Sequence, residues 1–245
     1  MRTIVLGSTT GIGRAVALSL ASAGADVIVH GRRSVNEARD VSETIRAMGR
    51  RSGVLMADLA DRSASNELAE TAWNLWGGLD AWLHLAGADT LTGDAAGLSF
   101  EAKLDLLWSV DVVSAIHLCR KIGALMKEQG SGVILTMGWD QAETGMEGDS
   151  GEMFAAIKGA VMSFTRSLAL SLAPQVRVNA LAPGWIRTAW GDQASDSWKA
   201  RVLRETPMNR WGTPEDVAQV ARFLVDPRSN FLTGQIVRIN GGAIR

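Results

Sequence analysis

Tyrosine is missing from this sequence altogether: none of its 245 residues is one. Phenol-based proton transfer is therefore excluded anywhere in the chain. Cysteine is nearly absent as well. The lone Cys119 rules out an internal disulfide framework and a cysteine-based metal site, and points to a reducing, cytoplasmic setting. Neither sign of charge dominates, with 25 basic against 26 acidic side chains, so neither nucleic acid nor an anionic membrane is the expected partner. Long apolar runs are lacking too, because Gly, Asp and Arg interrupt each one, and no membrane-spanning segment is expected. Met1-Arg2-Thr3 leads straight into Ile4-Val5-Leu6, which reads as a strand rather than a signal peptide. His84 and His117 stand beside no second pair of ligands, so no metal is expected, and His117 reads as a helix-surface or interface residue.

What is present is alternation. Ile4-Val5-Leu6, Val27-Ile28-Val29, Val54-Leu55-Met56, Ala81-Trp82-Leu83, Val133-Ile134-Leu135, Val176-Arg177-Val178 and Ile236-Val237-Arg238-Ile239 read as strands. Their near-continuous apolar character suits strands covered on both faces, as in a parallel sheet. Between them lie helical patterns such as Val35–Met48, Phe100–Met126 and Phe154–Leu172. Strand then helix, repeated six times, predicts an α/β fold: a doubly wound, Rossmann-type three-layer sandwich on a seven-stranded parallel sheet. No Pro- or Ser-rich linker divides residues 1–245, which read as one domain.

The first strand ends in Gly7-Ser8-Thr9-Thr10-Gly11-Ile12-Gly13, with a helix expected to open at Arg14. Glycines there let the backbone turn tightly and approach a pyrophosphate, while a helix amino terminus offers N–H groups and a positive dipole end. Placed between strand and helix, the pattern points to a dinucleotide. The second strand ends His30-Gly31-Arg32-Arg33. Gly31 leaves no carboxylate for ribose hydroxyls, and Arg32 with Arg33 suits a 2′-phosphate, favouring NADP(H); the alternative is a solvated pair at a helix start. Asp58-Leu59 either meets the adenine edge or belongs to the cap of the next helix, after Asp61.

These landmarks resemble the short-chain dehydrogenase/reductase family along essentially the whole chain. They are Gly7–Gly13, Asp58-Leu59, Leu85-Ala86-Gly87, Lys158, Asn179-Ala180-Leu181-Ala182-Pro183-Gly184 with Thr188, and Leu232-Thr233-Gly234 with Asn240-Gly241-Gly242. Arg210-Trp211-Gly212-Thr213-Pro214-Glu215-Asp216 is similar to the ketoacyl-carrier-protein reductase branch. The resemblance implies that Ala86, Gly87, Pro183, Gly184, Ile186 and Thr188 join the cofactor site and that Lys158 meets the nicotinamide ribose. It also implies a catalytic set of Asn, Ser, Tyr and Lys, in which the tyrosine phenol exchanges the proton that accompanies hydride transfer.

That set matches badly. Lys158 is present, but one turn earlier stands Phe154 where the family has tyrosine. The serine place falls on Gly138-Trp139, and the Asn place carries Asp111. Asp111 either takes a proton or anchors water to Lys158, or it is a buried carboxylate paired with that lysine. The segment Asp140–Glu152 holds five acids and no base, and its glycines suit a mobile lid. Asp149 with Glu152 fits a capping box, whereas Asp140 and Glu143 are freer to serve as a carboxylic acid, or merely as a solvated surface. Acids facing the pocket would favour a cationic substrate.

The resemblance also implies that Trp139, Trp185, Trp190 and Trp198 cluster near the nicotinamide side, walling a planar or apolar substrate or the face of a sugar ring, or packing on one another. Two readings result: an NADP-dependent oxidoreductase with altered proton chemistry, for which Lys158, Asp111 and Asp140 are the catalytic candidates, or a silent dinucleotide-binding sensor or assembly protein. The resemblance also implies a homodimer or homotetramer. Leu104, Leu107, Trp108, Leu118, Ile122 and Leu125 would supply such a surface, or face the sheet.

Overall fold

A computed structural model describes residues 1–243; the last two positions of the expected 1–245 unit lie outside the described residues. Its elements run β1 (Arg2–Leu6), α1 (Gly11–Ser22), β2 (Asp26–Gly31), α2 (Val35–Ala47), β3 (Ser52–Met56), α3 (Arg62–Leu75) and β4 (Ala81–His84). Then follow α4 (Phe100–Leu107), α5 (Ser114–Gln129), β5 (Gly132–Met137), α6 (Asp149–Leu172) and β6 (Val176–Pro183). The chain closes through α7 (Ala189–Gln193), α8 (Asp196–Glu205), α9 (Pro214–Val225) and β7 (Ile236–Ile239). The seven strands form one sheet in the order β3-β2-β1-β4-β5-β6-β7, and every neighbouring pair is parallel.

Alternate residues of each strand feed opposite faces. Val5, Val27, Val29, Leu83, Leu135 and Leu181 meet α1, α2 and α9 on one side. Ile4, Leu6, Ile28, Trp82, Ile134 and Val178 meet α3, α5 and α6 on the other. Asn179, fully buried, ties β6 to the segment before β7: its amide donates to the Leu232 carbonyl at 2.9 Å and its oxygen accepts from the Gln235 N–H at 2.9 Å. The order reverses between β1 and β4, so the chain leaves these two strands for helices on opposite faces of the sheet and a crevice forms at their carboxyl ends.

Several expectations shift. α1 opens at Gly11, with Thr10 as its N-cap, rather than at Arg14, so the later glycines already form the first helical turn. The helix expected over Phe100–Met126 is interrupted by a π-helical turn, Trp108–Val113, and runs on to Gln129, where left-handed Gly130 stops it. α6 begins five residues before Phe154, because Asp149 and Glu152 place negative charge in its first turn. Gly148, with no side-chain bond, is the N-cap, so the expected capping box does not form. Contrary to the absence expected from sequence, α6 is long and apolar enough to cross a membrane by length and composition alone. Its apolar face is spent on the core, where Ile157, Val161, Met162, Leu168 and Leu172 are buried. In the suggested assembly stripe, Leu107, Leu118 and Ile122 are buried in the core, while Trp108 is exposed.

The crevice depends on close backbone contact. A Cβ on Gly13 would lie 2.0 Å from the Gly7 carbonyl oxygen, a clash that no rotamer change relieves. Gly13→Ala should therefore lower stability by about 1–3 kcal/mol, read as a fall in thermal midpoint of several degrees. An unchanged midpoint would show that the loop has room to spare.

Candidate functional site

The glycine loop after β1 is held from below by His30, a residue the sequence reading passed over. The Gly7 N–H donates to His30 Nδ1 at 3.1 Å, and His30 Nε2 lies 3.3 Å from the Ala57 carbonyl. Nδ1 is thus the acceptor and Nε2 carries the hydrogen. Burial pushes this imidazole down to about 4, against the bond to Ala57, so it is neutral near pH 7. Ser8 completes the lock: its hydroxyl donates to the Val5 carbonyl at 2.7 Å and accepts from the His30 N–H at 3.0 Å. Gly7, at φ 76°, brings its backbone against Ala86, so the loops from β1 and β4 touch. With Thr9, Thr10, Gly11 and Ile12 leading into α1, the free N–H groups of a helix start face this crevice.

At the end of β2, Gly31 is buried, and a Cβ there would meet Thr9 Cγ2 at 2.6 Å. Arg32 and Arg33 follow, both exposed. Asp58 turns back on its own loop and accepts from the Ala60 N–H at 3.0 Å, while the Leu59 side chain packs into the core. The next helix is capped by Asp61, which accepts from the Ser63 and Ala64 N–H groups.

Beside the glycine loop is a cavity of about 400 Å³. Ile12 and Thr188 line it on the cradle side, with Pro183 at the end of β6 and Gly184 and Ile186 just beyond. Trp139, Phe154, Lys158, Trp185, Trp190 and Trp198 form much of the rest, so all the aromatic residues expected near one another do share one wall system. Trp139 meets Phe154 edge to face at 6.4 Å. Trp185 stacks on Trp190 at 6.0 Å and meets Trp198 at 5.4 Å. Trp211, not expected there, extends this group beyond the cavity, 6.0 Å from Trp190.

The charged group at the cavity is Lys158. Its ammonium lies 2.7 Å from Asp111 Oδ2, and both side chains are buried. The second Asp111 oxygen accepts from the Ala88 N–H at 2.8 Å. Asp111 sits within the π-helical turn, which widens the helix where the Ser114 hydroxyl donates to the Val110 carbonyl and lies 3.1 Å from His84 Nε2. Complete burial pushes His84 down to about 3, with the charges of His30 and Lys158 acting in the same direction. Of the two readings of Asp111, the geometry realises the ion pair.

The acidic segment differs from expectation. Glu143 is bridged by Arg166 and Arg238, which hold its carboxyl below the usual range, so it is no free acid. Glu147 takes a bidentate pair from Arg201 at 2.6 and 3.1 Å. Arg201 also pairs with Glu205 at 2.6 Å and lies over the Trp198 ring at 4.8 Å. Bases supplied from α6, α8 and β7 therefore neutralise acids that looked unpaired in sequence, and the case for a cationic substrate falls. Asp140 is fully buried but is not among the residues lining the cavity. One of its oxygens accepts from the Asn240 amide at 3.1 Å and the other has no partner. Desolvation raises this carboxyl to about 6, against the Asn240 bond. His117 pairs with Asn66 at 2.8 Å on the helix surface, and no metal-ligating cluster occurs among the described residues.

Comparison with known proteins agrees with this architecture. Residues 7–243 match a family profile described as Enoyl-(Acyl carrier protein) reductase. A cyclohexanol dehydrogenase from Rhodococcus sp. is 36% identical over 255 residues, covering 98% of this chain and 94% of that protein. The 3-oxoacyl-[acyl-carrier-protein] reductase FabG of Staphylococcus aureus is 31% identical, covering 98% and 96%. Among solved structures, a short chain dehydrogenase from Burkholderia cenocepacia in complex with NADP superposes with a TM-score of 0.88 at 29% identity, covering 99% of this chain and 97% of that one. On sheet order, glycine loop and full-length similarity together, the chain belongs to the short-chain dehydrogenase/reductase family.

Proposed function

We propose that this protein is an NADP(H)-dependent oxidoreductase whose reaction centre works without a phenol, on an activated C=C bond or an unusual carbonyl. The observation that carries this reading is the shared cavity: Phe154, Lys158 and Trp139 face the same space as Ile12 and Thr188 of the expected cofactor site. The Gly7–Gly13 loop would hold the pyrophosphate. Asp58-Leu59, Ala86, Gly87, Pro183, Gly184 and Ile186 would flank the dinucleotide, and Lys158 its nicotinamide ribose. Arg32 and Arg33 would take the 2′-phosphate. The NADP complex of the Burkholderia relative supports that assignment. A bound dihydronicotinamide supplies hydride.

What this chain adds is selectivity through proton chemistry. Reduction of a simple ketone leaves an alkoxide that needs an acid at once, and Phe154 has no proton to give. Reduction of an electron-poor C=C leaves a resonance-stabilised anion that water can protonate later. Lys158, oriented by Asp111, provides the positive charge such an oxygen needs. Asp140, by its burial against Asn240, sets the backbone around Gly184 rather than donating into the cavity. A silent dinucleotide-binding role is the second reading, favoured by the neutralisation of Lys158 and the lack of an acidic side chain on the cavity wall.

We take the chain as one dinucleotide-binding unit that forms a dimer or tetramer, with Leu170, Phe223 and Phe231 as exposed apolar surface. The buried Cys119 is compatible with a cytoplasmic setting.

Stopped-flow oxidation of NADPH should be faster with enones than with the matching saturated ketones. Tight NADPH binding with no oxidation by either class would sink the enzyme reading. Phe154→Tyr should raise ketone reduction by about 10²–10⁴-fold, the usual worth of a general acid; no gain would show that more than the acid is missing. Arg32→Asp should weaken NADPH binding about tenfold or more, with little effect on NADH. Equal losses by calorimetry would refute the 2′-phosphate assignment. Asp140 has a folded-state value of about 6, above its ordinary 3.8, so it favours the folded state at low pH and loses that contribution as pH rises from about 4 through about 6. Asp140→Asn should flatten this slope and add about 1–3 kcal/mol at pH 8 in urea unfolding. A slope equal to that of the parent chain would show that Asp140 ionises freely.

A further inference from the structure

α6 places Ser150, Phe154 and Lys158 four residues apart, on one face of the helix. All three line the aromatic cavity. At 1.5 Å per residue, Ser150 stands about 12 Å along the helix axis from Lys158, with Phe154 midway. Its hydroxyl is not consumed in capping, because Gly148 is the N-cap and has no side-chain bond. Ser150 is half-buried, so a group bonded to it would be partly screened from water. Phe154 lies between Ser150 and Lys158, and the rest of the cavity wall is largely flat or apolar, Trp139, Met137 and Trp185 among its residues.

We propose that Ser150 is a second anchor for the substrate, binding a neutral hydrogen-bonding group at the far end of a flat, ring-built molecule whose reacting end lies at Lys158. This rests on the reading of the cavity as the substrate site. The length of the face between the two polar residues selects an elongated molecule over a compact one. The ring faces of Phe154 and Trp139 select planarity. Asp149 and Glu152, both exposed in the same first turn, disfavour an anionic end group, so a hydroxyl or carbonyl is preferred. Ser150 is a specificity-determining residue in this scheme and takes no part in proton transfer.

Chalcone and 4-hydroxychalcone test the idea, since they share one flat enone skeleton and differ by a hydroxyl at one end. Each is titrated into the full chain with NADP⁺ present, and binding is read from quenching of the cavity tryptophans. Oxidation of NADPH is followed separately. The parent protein should bind 4-hydroxychalcone about three- to tenfold more tightly, the ordinary worth of one neutral hydrogen bond. Ser150→Ala should bring the two probes level. A preference that survives Ser150→Ala, or that is absent from the parent protein, would overturn the proposal. Quenching by neither probe would overturn it together with the reading of the cavity. A Ser150-dependent preference without NADPH oxidation would keep Ser150 as a ligand anchor and overturn the placing of a reacting end at Lys158.

Discussion

The ion pair between Asp111 and Lys158 is the contact on which the arrangement of the cavity depends. It joins three pieces of chain that also share an apolar cluster around Val112, Ala88 and Ile157: the π-helical turn before α5, the segment after β4 through the Ala88 N–H, and the middle of α6. A buried charge pair seldom stabilises a fold by itself, because desolvation offsets most of the attraction. Breaking one is another matter, since the remaining charge is left stranded in the interior. Here the pair aims the lysine at a cavity whose other walls are largely apolar. The π-helical turn is the local adjustment that brings the carboxylate there, and such turns often accompany function.

Around that pair the wall is aromatic and the lid is tied by charge. Trp185, Trp190 and Trp198 form one packed group, and Arg201 links it to the acidic segment by lying over Trp198 while gripping Glu147. Exposed pairs of this kind contribute little stability one at a time. Their effect here is geometric. They hold α8 and the Asp140–Glu152 segment in one arrangement, and so settle the shape of the cavity's outer side.

The sheet was legible because each strand announces itself over a few consecutive residues, and the parallel order follows from the intervening helices. The glycine loop between β1 and α1 was legible for the same reason: Gly7, Gly11 and Gly13 act through spacing along the chain. Phe154 and Lys158 could be placed because one helical turn relates them. Residues whose roles depend on partners distant in sequence were harder. Nothing local reveals that Glu143 meets Arg238, that Glu147 meets Arg201, or that His30 reaches back to Gly7. A run of acids with no adjacent base looked like an uncommitted lid, and tertiary pairing made it a strap. The depth of Asp140 was hidden likewise, since its burial comes from Asn240 and Gly184, contributed by other parts of the fold.

Gly31 has a consequence for how such a cradle can change. The space a side chain would need there is already filled by the methyl group of Thr9, with the Met56 terminus close behind. An acidic residue at this strand end, the feature that suits unphosphorylated ribose, would have to displace the Thr9 methyl group. Thr9 must turn its side chain aside or give way to a smaller residue, because the backbone of the loop is held by the His30 lock beneath it. Positions 31 and 9 are therefore coupled: a side chain at one is felt directly by the other. That coupling is written in van der Waals contact rather than in charge.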